Sequence, residues 1–296
     1  MQPAYLLTDL QADAQAGHHV VSSVYIEARS QYRSDGPEQL RPVGETEWVA
    51  GMHADFLLDG IVGFADLMLG DAVEEVLVAH QEAGAGRFRG IRHSSAWDPS
   101  PDIRNAASNP PGDMMERDDF RRGVATLGRL GLTYDAWLFH PQIPQLYELA
   151  RSQPDVTMIL DHLGGPLGIG PYQGRRDEVL GDVRRSLDQL AECPNVVIKL
   201  GGVGMTIFGL GWHKREERVS SEEVAEAYGP IIRWAIERFG VDRCMFESNF
   251  PVDRHSADYV VLWNAFKRIT ADLSAPERAA LFHDTATRVY RLGGTA

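Results

Sequence analysis

The chain has 296 residues, 44% of them apolar and 24% charged, and its 29 basic against 42 acidic side chains give a formal net charge of −13. This charged fraction, with six Trp, eleven Phe and nine Tyr, argues against an intrinsically disordered chain. The acidic balance argues against a nucleic acid as the partner, because binding to a phosphate backbone needs a clustered basic surface.

The cysteines and the first residues indicate a reducing compartment. Cys193 and Cys244 are the two cysteines of the chain, so no disulfide framework is expected. The sequence from Met1 to Asp9 has neither a basic segment nor an apolar one, so we do not expect a secreted protein. No apolar run approaches the ~18 residues of a membrane-spanning helix. We therefore predict a cytoplasmic globular enzyme with a small-molecule substrate and no membrane partner.

Helix-like and strand-like apolar patterns alternate along the whole chain. A first helix has Tyr5, Leu6, Leu10 and Ala14 on one face and ends at Gly17. Seven strands are predicted, at 19–27, 61–65, 88–92, 132–139, 156–160, 196–200 and 243–246. Further helices are predicted at 42–58, around 73–77, and at 117–130, 144–152, 176–191, 221–239, 257–269 and 276–290.

The alternation predicts one α/β domain over residues 1–296, since no linker or break in composition divides it. Two architectures fit a parallel sheet with helices on its faces: an open doubly wound sheet, and a (β/α)8 TIM-type barrel that lacks its first strand. The barrel explains why a helix precedes the first of seven strands. Polar residues also follow nearly every strand, and only in a barrel do all the strand ends meet at one mouth. The distribution of polar residues therefore favours the barrel.

The polar residues at the strand ends are the candidate site. They are Glu27, Arg29, Asp66, Arg92, His93, His140, Asp161, His162, Lys199, Glu247, Ser248 and Asn249.

The segment Asp161-His162-Leu163-Gly164-Gly165 is the sharpest of these features. A histidine at the end of a buried strand can present a neutral imidazole to a metal or a substrate, and glycines allow close approach. The alternative is a core histidine bonded to a backbone carbonyl. His93 and His140 stand at matching strand ends, and this repetition favours the functional interpretation.

The last strand is followed by Glu247-Ser-Asn-Phe-Pro-Val-Asp253. Asn249 stands where a barrel would hold its last catalytic group, but an amide cannot act as a general base. Asp253 can take that role, and a loop or capping aspartate is the alternative. In the long loop after the sixth strand, Trp212 and His213 are candidates for a lid or a substrate contact, or else for a packed loop anchor.

Five blocks of the sequence occur together in a fixed order. They are Val24-Tyr-Ile-Glu27, Arg41-Pro-Val-Gly-Glu-Thr-Glu47, Phe88-Arg-Gly-Ile-Arg-His93, Asp161-His-Leu-Gly-Gly-Pro166 and Met245-Phe-Glu-Ser-Asn-Phe-Pro-Val-Asp253. With these blocks the sequence resembles the amidohydrolase-related family of TIM-barrel hydrolases, and in particular its lactonase branch. The resemblance covers essentially the whole chain.

The resemblance implies hydrolysis at the barrel mouth, often with one divalent metal such as zinc. Members usually hold the metal with a His-x-His pair on the first strand, two later histidines and a last-strand Asp. His140 and His162 match the two later histidines, and Asn249 stands in place of the Asp. The His-x-His pair is absent from this sequence. Because catalytic zinc generally has about three protein ligands, the sequence does not predict tight metal binding.

Some lactonase relatives work without a metal, and the resemblance then implies the following roles. Arg92, His93, His140 and His162 polarise the carbonyl and bind an anionic substrate. From their positions in and after the sixth strand, Lys199, Trp212 and His213 are predicted as further substrate contacts. Asp253 and Asp161 are the two candidates for the base that activates water. The predicted function is hydrolysis of a lactone or similar cyclic ester of a small carboxylic acid. The alternatives are a decarboxylase of the same superfamily and a truncated, non-catalytic relative.

The missing strand has a structural consequence, because an incomplete barrel exposes the edges of two strands and favours association. A homo-oligomer is therefore compatible with the sequence. Two explanations are open: a natural product that begins further upstream, which we favour because the first helix is intact, or a shortened relative.

Overall fold

Seven parallel strands form a curled sheet, an open barrel, in the computed structural model, which describes residues 4–52 and 58–293. The strands pair strictly in chain order, each with the next. The fold class and the seven strands predicted from the sequence are confirmed. The strands are β1 (Val24–Ile26), β2 (Gly60–Gly63), β3 (Phe88–Arg92), β4 (Thr133–Ala136), β5 (Met158–Leu160), β6 (Val196–Leu200) and β7 (Cys244–Phe246).

Most of the strands are short runs that are buried on both faces, as parallel strands are when helices cover the sheet, whereas the edge strand β1 is half-buried. All five residues of β6 are buried, and so are all of β2, β4, β5 and β7. β6 aligns Ile198 with Cys244 of β7, and Leu160 of β5 aligns with Ile198. This register places the carboxyl ends of successive strands side by side, which is the side on which the predicted site residues lie.

Helices alternate with the strands along the chain, and most of them cover the outside of the sheet. They are α1 (Leu7–Gln15), α2 (Val43–Ala50), α3 (Val73–Ala83), α4 (Asp118–Arg129), α5 (Ile143–Ser152), α6 (Arg176–Leu190), α7 (Ser221–Phe239), α8 (Tyr259–Ile269), α9 (Ala275–Ala279) and α10 (Thr285–Tyr290). Their positions agree with the predicted helices. The helix predicted at 42–58 ends at Ala50 in the structure, and its residues 53–57 lie outside the described chain.

Local sequence explains where several helices begin and why the last one is interrupted. The Ser220 hydroxyl accepts the N–H of Glu223 at the start of α7, and the Glu223 carboxylate accepts the N–H of Ser220, which is a capping box. Ser274 and Glu277 form the same arrangement at α9. The helix predicted at 276–290 is one continuous segment in which a π-helical stretch, Ala280–Asp284, joins α9 to α10.

The inside of the curled sheet is filled partly by the carboxyl-terminal helix. Val289 and Tyr290 of α10 join a buried cluster with side chains from the middle of the sheet: Val62, Ile159, Val197 and Met245. Val24 and Ile26 of β1 pack on this cluster together with Ala286 and Leu292. Among the described residues β1 pairs with β2 alone and β7 with β6 alone. The carboxyl-terminal helix therefore covers inner surface that belongs to both edge strands.

Within the described part of the chain, none of the helices combines the length and apolarity needed to cross a bilayer.

Candidate active site

A buried charged network joins three neighbouring strands at the mouth of the sheet. The Lys199 ammonium of β6 lies 2.7 Å from Oδ2 of Asp135 in β4 and 2.8 Å from Oδ1 of Asp161, which follows β5. Both aspartates are fully buried and Lys199 is 4% exposed. The hydroxyl of Tyr290 donates a second hydrogen bond to Oδ2 of Asp135, at 2.6 Å. The network connects the inside of the sheet to its mouth.

This network fixes the charge of Asp161. Burial acts to raise the pKa of Asp161, but the ammonium of Lys199, with His162 and Arg92, outweighs it and holds the pKa below its usual range. Burial likewise acts to lower the pKa of Lys199, and the carboxylates of Asp135 and Asp161 together hold it well above the usual value. A carboxylate that stays ionised and paired is a poor proton acceptor. Of the two candidate bases, Asp161 is therefore the less suitable.

Arg92 is committed to carboxylates of the protein. Its Nε donates to Oε1 of Glu27 at 3.0 Å, and one of its terminal nitrogens donates to the Glu27 carbonyl at 2.5 Å. The other terminal nitrogen lies 3.7 Å from Oδ2 of Asp161. The guanidinium predicted to hold the substrate thus ties β1 to β3 and β5, and its fork is largely occupied.

His162 and Glu247 form a pair that joins the ends of β5 and β7. Nδ1 of His162 lies 2.5 Å from Oε1 of Glu247, and the same oxygen accepts the backbone N–H of His162 at 3.2 Å. His162 has a left-handed φ of 54°, a conformation that a side chain adopts at a cost of about 1–3 kcal/mol. The paired carboxylate holds Nδ1 as a donor, so Nε2 is the nitrogen left to meet a substrate.

The charge of the pair is also set by its surroundings. Burial acts to lower the pKa of His162, but the carboxylate of Glu247, with that of Asp161, outweighs it and holds the pKa above its usual value. The imidazole is therefore protonated at a higher pH than a free histidine. A buried imidazolium at a strand end can give a proton or stabilise a developing negative charge.

Asp253 is a fully buried carboxyl group, and one of its two oxygens has no hydrogen-bond partner among the described residues. The Asn249 amide donates to its Oδ1 at 2.8 Å, whereas no described residue donates a hydrogen bond to its Oδ2. Burial raises the pKa of Asp253 to about 7, and the nearby Gly204 N–H and the Asn249 amide oppose that rise only in part. A carboxyl group with a pKa near neutrality is matched to general-base work.

The side chains of His162 and Asp253 both pack against the glycine loop that follows β6. A Cβ added to Gly202, whose φ is 69°, would lie 2.6 Å from Cβ of His162. A Cβ added to Gly204 would lie 2.8 Å from Cβ of Asp253. Both side chains therefore touch the same short backbone segment, and glycine is needed for that contact.

His93 and His140 are held as neutral histidines by backbone groups. Nδ1 of His93 accepts the N–H of Leu67 at 3.2 Å, and Nδ1 of His140 accepts the N–H of Leu167 at 3.3 Å. Burial lowers the pKa of each to about 4. With Nδ1 accepting, the ring proton of each lies on Nε2, which remains a neutral donor at these strand ends.

Trp212 and His213 lie on a short 3-10 turn, Trp212–Lys214, in the loop after β6. The Trp212 ring packs edge-on against Tyr228 of α7, with 5.9 Å between ring centres, and His213 is exposed. The described contacts of Trp212 are those of a loop anchor.

Four residues of this site had no role assigned to them from the sequence: Glu27, Asp135, Glu247 and Tyr290. Glu27 and Glu247 directly follow strands, and that position was the available signal. Asp135 lies inside an otherwise apolar strand, where a lone carboxylate indicates a buried partner. Tyr290 has no local signal, because its contact with Asp135 joins residues 155 apart in sequence.

The side chains present do not fit a metal ion. No group of three or more His, Cys, Asp or Glu side chains converges in metal-binding geometry within residues 4–52 and 58–293. Nδ1 of His140 and Nδ1 of His162 are already bonded to Leu167 and Glu247, and Asn249 supplies a neutral amide. A catalytic zinc site generally needs three protein ligands, and the described side chains do not supply such a set.

Comparison with known proteins places this geometry among hydrolases. The family model described as Amidohydrolase matches residues 19–292. A protein of Sinorhizobium fredii named y4mH is 36% identical over 290 residues, which are 97% of this chain and 86% of that protein. An L-fucono-1,5-lactonase of Burkholderia multivorans is 31% identical over 233 residues, 78% of this chain and 71% of the lactonase.

Solved structures show the same fold. Two crystal structures of an amidohydrolase from Burkholderia multivorans, one with bound HEPES and one with bound zinc, superpose with TM-scores of 0.76 and 0.73. Each is 27% identical in sequence and is matched over 97% of this chain and 89% of the other. The alignment thus extends over nearly all of both chains.

Proposed function

The chain belongs to the amidohydrolase family and is a hydrolase, and from that membership we propose that it opens a lactone, or a similar cyclic ester of a small carboxylic acid, by attack of water at the barrel mouth. Asp253 is the general base in this proposal, His162 is the general acid, and Glu247 and Asn249 hold these two groups in position.

The proposal depends on two properties of Asp253, its unpartnered carboxylate oxygen and its raised pKa. Its Oδ2 is buried and accepts no hydrogen bond from the described residues, and burial raises the pKa of the group to about 7. A water bound at Oδ2 would give a proton to Asp253 as its oxygen attacks the lactone carbonyl carbon. Near neutral pH about half of the groups are ionised and ready to accept that proton, which is the condition that favours general-base catalysis.

His162 supports the second half of the reaction. When the tetrahedral intermediate collapses, the bond between the carbonyl carbon and the ring oxygen breaks, and the ring oxygen needs a proton. The imidazolium of His162 would supply it from Nε2, while Glu247 holds Nδ1 at 2.5 Å. The product is a hydroxy acid, which contains all the atoms of the lactone and of one water. Asp253 then loses its proton and His162 regains one, through water.

The relatives support the choice of substrate. The Burkholderia multivorans relative at 31% identity is named L-fucono-1,5-lactonase, and its name describes the opening of a lactone. The zinc of the related crystal structure belongs to that protein, and the donor groups described above do not form a comparable set in this chain. The decarboxylase alternative is not favoured, because the name of the lactonase relative describes the opening of a lactone and not a decarboxylation.

The test is hydrolysis of a panel of sugar and carboxylic acid lactones, followed by acid release at constant pH. The wild-type chain and Asp253→Asn are compared on every lactone, with Glu178→Gln as the matched control. Glu178 is an exposed carboxylate of α6 that pairs with Arg175 on the surface. We expect turnover of at least one lactone by the wild type and by Glu178→Gln, and its loss in Asp253→Asn. Equal rates for Asp253→Asn and the wild type would reject the proposal.

A further inference from the structure

The segment that follows β1 is held in a tight, fixed bend by one buried carboxylate. Oε1 of Glu45, a residue of α2 that is 2% exposed, accepts hydrogen bonds from the Tyr25 hydroxyl and the Ala28 N–H at 2.8 and 2.9 Å. It also accepts the N–H and the hydroxyl of Ser30, at 3.1 and 3.0 Å. Four donors on one oxygen fix the backbone on both sides of Arg29.

Arg29 itself adopts a conformation that arginine rarely takes. Its φ is 56°, in the left-handed region, where a residue with a side chain is strained by about 1 kcal/mol or more. The guanidinium carbon lies 5.9 Å from the centre of the Phe64 ring, and that ring is packed edge-on against His93 at 5.1 Å. The bend therefore directs Arg29 over the β2 and β3 side of the mouth.

Arg29 differs from its neighbouring arginines in having no anionic partner within the described residues. Arg33, four residues further along, pairs with Glu47, and Arg92 pairs with Glu27 and Asp161. Arg29 is exposed and its contact is with the face of Phe64. Glu27 is close enough to interact with the charge of Arg29, but its carboxylate is bonded to Arg92. In a chain with a formal net charge of −13, an exposed arginine that forms no ion pair with the described residues is a place for an external anion.

We propose that Arg29 binds a carboxylate of the substrate, so that the enzyme selects lactones that carry a free carboxylate over neutral ones. This inference rests on the proposed lactone hydrolysis and adds the class of lactone. The guanidinium fork matches a carboxylate with two parallel hydrogen bonds, a geometry that an ammonium does not reproduce. The fork lies over the Phe64 ring, 5.9 Å from its centre, whereas Arg92 is already engaged by Glu27.

The test compares two lactones of the same ring, one with a free carboxylate and one with that carboxylate as its amide. In Arg29→Gln we expect KM for the carboxylate lactone to rise tenfold or more, with kcat within about threefold of the wild type, and both constants for the amide to stay unchanged. Arg29→Lys, which keeps the charge without the fork, should restore part of the affinity. Arg33→Gln removes the same charge from the same segment, and it should leave KM and kcat unchanged for both lactones.

Two further outcomes separate this inference from the proposed function. If the wild type opens lactones but Arg29→Gln alters both substrates equally, the inference is wrong and the proposed function stands. If no lactone is opened, the proposed function fails, and calorimetric binding of a hydroxy dicarboxylate decides the inference alone. Binding at least tenfold weaker in Arg29→Gln than in the wild type would support it, and equal or undetectable binding in both would overturn it.

Discussion

Oε1 of Glu247 accepts two hydrogen bonds from His162, one from Nδ1 at 2.5 Å and one from the backbone N–H at 3.2 Å. These bonds join the end of β7 to the end of β5 across β6. Two bonds to one oxygen fix the ring and the main chain of His162 at once. A carboxylate in this position sets the tautomer, the orientation and the charge of the imidazole.

The first prediction follows from the charge of that pair. In Glu247→Gln the amide keeps a hydrogen bond to Nδ1 but loses the negative charge, so the pKa of His162 falls from its raised value. Since His162 acts protonated in the proposed mechanism, the decline of kcat/KM at high pH should move to lower pH. Activity at neutral pH should fall by about 10- to 100-fold. The measurement is kcat/KM against pH. A decline that begins at the wild-type pH in this variant contradicts the assignment of His162 as the acid.

The second prediction concerns the low-pH side of the same profile. Asp253 must be ionised to accept a proton, and its pKa is raised to about 7. Wild-type kcat/KM should therefore rise with pH through about 7, whereas an ordinary aspartate would give this rise near 4. Asp253→Asn should reduce kcat by about 10²- to 10⁴-fold with an unchanged circular dichroism spectrum. A wild-type profile that is flat from pH 5 to 8 would identify a different base.

The third prediction is that the same substitution stabilises the fold at alkaline pH. The pKa of Asp253 is higher in the folded chain than in the unfolded chain, so its contribution to stability is greatest below pH 4 and is lost as the pH rises through about 7. Asp253→Asn removes this loss. At pH 8 the variant should be more stable than the wild type by up to about 4 kcal/mol, with the difference disappearing towards pH 4. Urea unfolding at the two pH values measures it, and a difference that does not depend on pH would contradict it.

The fourth prediction concerns the buried network. In Lys199→Met, Asp135 and Asp161 lose the ammonium that lies 2.7 and 2.8 Å from them. Removing one partner of a buried ion pair typically costs about 3–5 kcal/mol, so the free energy of unfolding should fall by that amount. Adding Asp135→Asn should recover part of it, because one uncompensated charge is then removed. Lys267→Met on the surface of α8 is the control and should change stability by less than about 0.5 kcal/mol. A Lys199→Met chain as stable as that control would show that the network contributes little.

The fifth prediction distinguishes the three histidines by their titration. Burial lowers the pKa values of His93 and His140 to about 4, whereas Glu247 holds that of His162 above its usual value. In NMR titrations the first two rings should stay neutral down to about pH 5, and His162 should be protonated at pH 6. Resonances are assigned with His93→Asn and His140→Asn. Protonation of His93 at pH 6 would contradict its burial.

The same two histidines affect the dependence of stability on pH. Because the folded-state pKa values of His93 and His140 are lowered, these residues contribute stability above pH 6.5 that is lost as the pH falls towards 4.

The sequence predicted those features that depend on interactions between residues close in sequence. The seven strands and most helices follow from apolar periodicity and capping residues, and β3 and β6 coincide with their predicted bounds. The positions of Arg92, Asp161 and His162 at the ends of predicted strands also indicated that these residues lie near one another, because parallel strands bring their carboxyl ends to one mouth.

What the sequence did not predict are partnerships between distant residues. Arg92 was expected to hold the substrate, but whether a guanidinium is free depends on Glu27, 65 residues away in sequence. The choice between Asp161 and Asp253 depended in the same way on Lys199, which pairs with only one of them. Ion pairing and burial are decided by the packed structure, and neither leaves a pattern in neighbouring residues.

Tyr290 and Val289 complete the inside of the sheet, although they follow all seven strands in the sequence. Until they have been synthesised, Asp135 lacks the hydroxyl that lies 2.6 Å from it in the folded chain, and the cluster around Ile159 and Val197 lacks part of its cover. Folding during synthesis thus leaves an unfinished apolar surface exposed until residue 290 has been added, and such surfaces are prone to aggregation. Loss of the last turn of α10 would consequently act as a defect in the centre of the protein, although that turn lies far beyond the last strand in sequence.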